Sequence, residues 1–102
     1  MARLTLNPNA TFELKVAVSV PGGSAEIGLT FKYRDRDEAK SWIDSHGNTT
    51  DAEVILDCVT AWDLDDEFSL ENVRRLCKLY PAAPGDISGA YVRELLGIRR
   101  GN

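Results

Sequence analysis

The chain has 102 residues, with 16 acidic and 12 basic side chains and a formal net charge of −4. This acidic balance argues against a nucleic-acid binder, which carries a clustered basic footprint, and against a protein that docks on an anionic membrane surface. A hydrophobic content of 43% and a charged content of 27% are ordinary for a globular protein, so the composition excludes wholesale disorder. The length predicts one domain over residues 1–102.

The apolar segments and the cysteines indicate the compartment. No apolar run approaches the ~18 residues of a membrane span, and the first residues lack the unbroken apolar stretch of a signal peptide. The cysteines, Cys58 and Cys77, lie in apolar helical patterns, where free thiols act as small buried hydrophobes. We therefore expect a cytoplasmic protein with two buried free thiols.

The first regular feature is a pair of alternating segments. Residues 12–20, F-E-L-K-V-A-V-S-V, alternate apolar and polar side chains, which is typical of a strand with one buried face. Residues 21–24, P-G-G-S, supply the backbone angles of a reversal. Residues 25–33, A-E-I-G-L-T-F-K-Y, then repeat the alternation. The sequence predicts an antiparallel β-hairpin over residues 12–33.

The period then changes to that of helices. Asp35 with Glu38 resembles a capping box that starts a first helix, which Gly47 ends with His46 in its last turn. A second box, Thr50 with Glu53, starts the next helix. Its apolar positions continue at helical spacing, so this helix is predicted to bury the following residues: Val54, Ile55, Cys58, Val59 and Trp62.

Two further helices complete the prediction. Ser69 is a good N-cap for a third helix that Pro81 ends, and its apolar stripe consists of Val73, Leu76, Cys77 and Tyr80. A fourth helix is predicted from about Asp86 to Ile98. An N-terminal antiparallel hairpin followed by about four helices over residues 35–98 places the chain in the α+β class.

The sequence offers no combination of residues suited to catalysis. His46 is the one histidine, and a histidine at a helix end is a dipole partner far more often than a base. The P-G-G-S turn is followed by a strand, so no helix N-terminus is available there for a phosphate. His46, Cys58 and Cys77 lie on three different predicted helices, without the short spacings of a zinc site. We expect no enzymatic activity, no metal and no cofactor.

The stretch W-D-L-D-D-E-F-S-L-E-N-V, residues 62–73, is the main candidate for a functional segment. An EF-hand counted from Asp63 fails, because Phe68 occupies the position of the required glycine and Arg74 that of the bidentate glutamate. A paired-carboxylate active site needs an acid held in an apolar pocket, whereas Asp65, Asp66 and Glu67 are predicted to lie in a solvated connector.

Two interpretations of the acidic stretch remain open. The carboxylates could stabilise the N-terminus of the following helix while Leu64 and Phe68 hold the connector on the core. Alternatively, the stretch could dock a basic or amphipathic partner helix, with Trp62 and Phe68 as apolar anchors inside a rim of carboxylates. The candidate partner-binding residues are Trp62, Asp63, Leu64, Asp65, Asp66, Glu67 and Phe68.

Several segments, in order, resemble the tail assembly chaperones of long-tailed bacteriophages and prophages. They are N-P-N-A-T-F-E-L-K-V-A-V-S-V-P-G-G at 7–23, L-T-F-K-Y-R-D-R-D-E at 29–38, W-D-L-D-D-E-F-S-L-E-N-V at 62–73, Y-P-A-A at 80–83 and Y-V-R-E-L at 91–95. The resemblance covers nearly the whole chain. Its most specific parts are the strand that ends in P-G-G and the acidic, aromatic W-D-L-D-D-E-F segment.

The resemblance implies a non-enzymatic protein of tail morphogenesis. Such chaperones bind the tape measure protein, keep its hydrophobic helical segments soluble and help recruit tail tube subunits in the host cytoplasm. They are absent from the finished virion. Coating a long partner with many copies favours self-association, for which the hairpin edges at 12–20 or 25–33, or a helix face, are candidates. The alternatives are a structural component that stays in the particle and a small acidic adaptor that masks a basic partner.

Overall fold

The computed structural model describes Leu6, residues 8–45 and residues 50–97. In these parts of the chain, an antiparallel sheet packs with helices in the α+β arrangement that the sequence predicts. The hairpin and the predicted helices are all present. A further strand, which the sequence pattern did not reveal, joins the sheet.

The hairpin consists of β1, Thr11–Val20, and β2, Gly23–Lys32. The strands pair antiparallel in an unbroken register from Thr11↔Lys32 to Val20↔Gly23. Gly22 in the connecting turn has a φ of 86°, which a residue with a side chain rarely adopts. The predicted hairpin is thus confirmed within a residue or two at each end.

The first two helices begin as the sequence predicts. They are α1, Arg36–Ser45, and α2, Asp51–Cys58. Both predicted capping boxes are formed by reciprocal backbone and side-chain hydrogen bonds, Asp35 with Glu38 at 2.9 and 3.0 Å and Thr50 with Glu53 at 3.1 and 3.2 Å. Each box satisfies two of the amide donors that a helix N-terminus leaves without intrahelical acceptors.

The last two helices are α3, Leu70–Leu79, and α4, Ala83–Leu96. The predicted N-cap of α3 is confirmed, since Ser69 Oγ accepts a hydrogen bond from Asn72 N at 3.2 Å. Helix α4 begins before the predicted Asp86, because Pro84 is compatible with the first turn of a helix, where its missing N–H has no intrahelical role.

The predicted helix ends are only partly covered by the described residues. Gly97 caps α4 with a φ of 72°, in the left-handed conformation that glycine adopts readily. Ile98, the predicted last residue of this helix, lies outside the described residues, as do His46 and Gly47 at the predicted end of the first helix.

The prediction that α2 continues through Val59 to Trp62 is wrong. The helix ends at Cys58, and β3, Val59–Trp62, adds antiparallel to β2, so the strand order is β1-β2-β3. Trp62 lies opposite Leu29, and a bulge shifts the register farther along. The β-branched and aromatic residues of V-T-A-W favour a strand once the outer side of β2 is available to pair with.

The helices cover one face of the sheet, and the other face is exposed. Inward-facing side chains of β1 and β2 join helical residues in one core, whose fully enclosed members include Phe31, Ile55, Val73, Ile87 and Tyr91. Along β1, by contrast, the alternate side chains such as Glu13 and Lys15 are exposed. An antiparallel sheet solvated on one face explains the alternation seen in the sequence.

Arg34 ties the end of β2 to three helices. Its guanidinium donates to the Tyr91 hydroxyl at 2.8 Å and to the backbone oxygen of Asp57 at 3.0 Å, and it lies 5.4 Å from the centre of the Trp42 ring. The Tyr91 hydroxyl in turn donates to the backbone oxygen of Lys32 at 2.7 Å. These bonds satisfy polar groups at the core boundary and fix α4 across the sheet.

Candidate partner-binding surface

The acidic connector is the loop between β3 and α3, residues 63–69. Trp62, at the end of β3, packs its side chain against this loop. The half-buried indole ring meets the Phe68 ring edge to face, with 5.1 Å between the ring centres. Its Nε1–H donates a hydrogen bond to the backbone oxygen of Asp66 at 2.7 Å. An aromatic pair of this kind and a satisfied indole stabilise the loop beyond the area that they bury.

Asp63 fastens the start of the connector to the middle of β2. Its carboxylate accepts a hydrogen bond from Gly28 N at 2.9 Å, and its own N–H donates to Gly28 O at 3.0 Å. A Cβ atom on Gly28 would lie 2.7 Å from Asp63 Oδ2, so a side chain at this position would displace the carboxylate. Asp63 therefore continues the β3 ladder, and its carboxylate is engaged in that contact.

The end of the connector is held by α3. Asn72 Nδ2 donates to the backbone oxygen of Glu67 at 2.7 Å, beside the Ser69 cap. Because the backbone is fastened at both ends, the exposed side chains of Asp65, Asp66 and Glu67 project from a loop of defined shape. They lie just before α3, where the helix dipole favours negative charge.

Leu64 brings an exposed apolar side chain to the same loop. It is 39% exposed and borders an apolar depression of about 170 Å³ between the turn end of the hairpin and α3. Val20, Leu76 and Tyr80 line this depression. A second depression of about 250 Å³ continues from Leu64 along α3 to Leu79, with Asp66 and Arg75 on its wall.

Together these side chains form what we call the acidic-apolar surface. Its apolar members are Leu64, Leu76, Leu79 and Tyr80, and its acidic member is Asp66, which the exposed Asp65 and Glu67 flank in the chain. Leu79 is 60% exposed and Tyr80 is 37% exposed. A cluster of large apolar side chains left in water beside carboxylates is typical of a surface that binds another protein.

The structure separates the seven predicted site residues into two groups. Trp62 and Phe68, predicted as anchors for a partner, pack on each other and are half-buried, and Asp63 is engaged with β2. The side chains exposed to a partner are Leu64, Asp65, Asp66 and Glu67. Part of the stretch thus builds the loop, and partner binding by the displayed part stays a prediction.

The sequence pattern missed the contribution of α3 to this surface. Tyr80 was predicted to belong to the buried stripe, but it is the exposed C-cap residue. Leu79 was not singled out at all. The available signal was two large apolar residues directly before Pro81, where the helix ends and its last turn no longer has to face the core.

The prediction of two buried thiols holds for Cys58, which lies in the core with Tyr91, but Cys77 is only half-buried beside it. Burial raises the pKa of the Cys58 thiol to about 12, and burial also raises the pKa values of Cys77 and Tyr91. A thiol that stays protonated is neither a nucleophile nor a metal ligand. Over residues 8–45 and 50–97, no group of histidine, cysteine and carboxylate side chains is arranged to hold a metal ion. In the same residues, no helix is both long and apolar enough to span a membrane.

Comparison with protein families relates the chain to proteins of phage assembly. A family model described as phage tail assembly chaperone matches residues 1–102, the whole chain. Neither the curated proteins nor the solved structures contain a significant match.

Proposed function

Because the chain belongs to the phage tail assembly chaperone family, we propose that it binds the tape measure protein, keeps it soluble and helps recruit tail tube subunits during tail morphogenesis. In this proposal the protein acts without catalysis in the cytoplasm of the bacterial host and leaves before the virion is complete. Its binding site is the acidic-apolar surface. Self-association allows many copies to cover a long partner.

The observation that carries the proposal is the exposure of Leu64, Leu79 and Tyr80 around an apolar depression. A long, largely helical partner aggregates through the apolar faces of its helices until it is packed. A row of apolar side chains on the chaperone can cover one such face, in the manner of a helix lying in a groove. Burial of a fully exposed leucine side chain contributes about 1.5–3 kcal/mol, and these side chains, which are 37–60% exposed, each contribute a part of that, as suits reversible binding.

The carboxylates beside these side chains define the chemistry of the partner. Asp65, Asp66 and Glu67 favour a helix whose apolar stripe is flanked by lysine or arginine, since complementary charge speeds encounter and sets orientation. A net charge of −4 helps a chaperone–partner complex to stay dissolved.

Co-expression with the tape measure protein, followed by co-purification at low and high salt, tests the proposal. We expect the wild-type chain to carry the tape measure protein into the soluble fraction as a complex that weakens as salt rises. Leu64→Ser combined with Leu79→Ser should abolish co-purification.

The matched control is Leu70→Ser, because Leu70 is also an exposed leucine of α3 but lines neither of the two depressions that Leu64 borders. It should leave the complex intact. Tape measure protein that stays insoluble beside the wild-type chain would contradict the proposal. Equal binding by the double variant and the control would assign the contact to another face. A protein that stays in purified virions would instead be the structural component considered from the sequence.

A further inference from the structure

The outer edge of β1 presents backbone groups that face no other described strand. Hydrogen-bonded and non-hydrogen-bonded pairs alternate along an antiparallel ladder. Tyr33 N donates to Ala10 O at 2.8 Å, so even-numbered residues of β1 direct their backbone groups towards β2. The odd-numbered residues direct N–H and C=O outwards, and they are Thr11, Glu13, Lys15, Ala17 and Ser19.

One end of this edge is already occupied. Asp86 in the first turn of α4 accepts a hydrogen bond from Ser19 N at 2.8 Å. A strand that pairs with β1 therefore meets the carboxylate of Asp86 at Ser19. Among the described residues, no partner occupies the part of the edge at residues 11–17, where the side chains of Thr11, Glu13, Lys15 and Ala17 are exposed.

The other candidate edge of the hairpin is covered at its centre. Residues 29–31 of β2 pair with β3, and Asp63 binds both backbone groups of Gly28. A second copy cannot pair along residues 25–33 as a continuous strand. Of the two hairpin edges considered from the sequence, the one that stays available is β1.

We propose that β1 of one copy pairs antiparallel with β1 of a second copy, with Leu14 opposite Leu14. This inference rests on the self-association in the proposed function, and it supplies the surface and the register. Glu13 then lies opposite Lys15 of the second copy, and Lys15 opposite Glu13, so two ion pairs form across the symmetry axis. Thr11 lies opposite Ala17. The four pairs made by residues 11, 13, 15 and 17 each exchange two backbone hydrogen bonds between the copies, about eight in all.

Charge selects this register over its neighbours. Only the odd-numbered residues of β1 have backbone groups that point to the open edge, so an odd-numbered residue must pair with an odd-numbered residue. The alternative registers therefore shift one strand by two residues relative to the other. A shift of two residues in one direction places Glu13 opposite Glu13 of the second copy. A shift of two residues in the other direction places Lys15 opposite Lys15. Like charges directly opposite each other destabilise a sheet. The second alternative also places Thr11 opposite Ser19, whose N–H already donates to Asp86.

The side chains of β1 that face the core favour the same register. Phe12 and Leu14 are half-buried, whereas Val16 farther along the strand is buried. In the proposed register Leu14 packs beside its counterpart and Phe12 beside Val16, at pairs without backbone hydrogen bonds, where side chains approach most closely. The pairing therefore covers apolar surface that one copy leaves in water.

The test is the mass of the isolated chain in solution, measured by light scattering over a concentration series. The tape measure protein is left out, so the result does not depend on whether that partner binds. The wild-type chain should be a dimer at about 100 μM, a concentration that reveals micromolar association. Lys15→Glu should raise the dissociation constant by at least about tenfold, because two attractive pairs become repulsive.

Two further variants make the test specific to the register. The exchange Glu13→Lys with Lys15→Glu should restore the dimer, because the proposed register again brings opposite charges together. Lys40→Glu changes the net charge as much as Lys15→Glu does, at an exposed position of α1, and should leave the dimer unaffected. A monomeric wild-type chain, a dimer that Lys15→Glu leaves unchanged, or a charge exchange that restores nothing would overturn the proposal.

Discussion

At the scale of single residues, the contact with Gly28 gives the Asp63 carboxylate a structural role. The carboxylate of Asp63 binds the backbone of β2 across a position that has no side chain. In the sequence, Asp63 is one of four acidic residues within five positions, and nothing local distinguishes it from Asp65 or Asp66. Its structural role depends on Gly28, which is distant in the chain and could not be paired with it from the sequence.

Gly28→Ala should lower the free energy of unfolding by about 1–2 kcal/mol, because the added methyl group displaces the Asp63 carboxylate and leaves Gly28 N without that bond. Glycine to alanine in a strand is otherwise neutral or favourable. Urea denaturation measures the effect, and Asp63→Ala with the double variant completes a thermodynamic cycle. A stabilising Gly28→Ala, or additive effects in the double variant, would show that the contact contributes little.

The thiol of Cys58 should make stability sensitive to alkaline pH. Its pKa is raised by burial to about 12, from an ordinary value of 9.0. The unfolded chain therefore loses this proton first, and the contribution to stability is full below pH 9 and falls as the pH rises towards 12. Urea denaturation between these pH values should show a steeper decline for the wild-type chain than for Cys58→Ala. Equal slopes would mean that the thiol is not the group responsible.

At the scale of elements, the sequence predicts what local chemistry controls and fails where a distant element intervenes. The hairpin follows from strict alternation and a glycine turn, and the helix starts follow from their caps. Ile55, Val59 and Trp62 also recur at helical spacing, so the pattern alone extends α2 too far. The outer side of β2 offers Val59–Trp62 a strand partner, and that tertiary pairing overrides the local period.

Trp62→Ala should destabilise the protein by about 2–3 kcal/mol, less than the 3–5 kcal/mol typical of a fully buried aromatic residue, because Trp62 is half-buried. The loss comes from the contact with Phe68 and from the hydrogen bond to Asp66 O. Thermal and urea denaturation give the value. A silent substitution would show that the connector does not depend on the aromatic pair.

Reversal of the charges on Asp65 and Asp66, both to lysine, should separate the two roles of the connector. Both side chains are exposed, so the melting temperature should change little. Binding of the tape measure protein should weaken, because the carboxylates that match a basic helix are gone. Calorimetry and co-purification measure the two effects. A large fall in melting temperature with binding intact would indicate that the carboxylates serve the fold alone.

At the scale of the whole molecule, the two proposed contacts involve different parts of the sheet. The proposed pairing uses residues 11–17 of β1, whereas the acidic-apolar surface follows β3 and reaches β1 only at Val18 and Val20, near the hairpin turn. A pair of copies joined through β1 thus keeps both acidic-apolar surfaces available. Two such surfaces on one particle bind a long partner more tightly than either does alone, because the second contact is intramolecular. Weak single contacts would still allow release during assembly.

Hydrogen exchange on the complex with the tape measure protein tests the central claim most directly, since it locates the contact on the chaperone. We expect slower exchange in residues 64–68 and 76–80, the segments that carry the acidic-apolar surface, and little change in α1. Slower exchange confined to α1 or to the exposed face of the sheet, with 64–68 and 76–80 unaffected, would contradict the account.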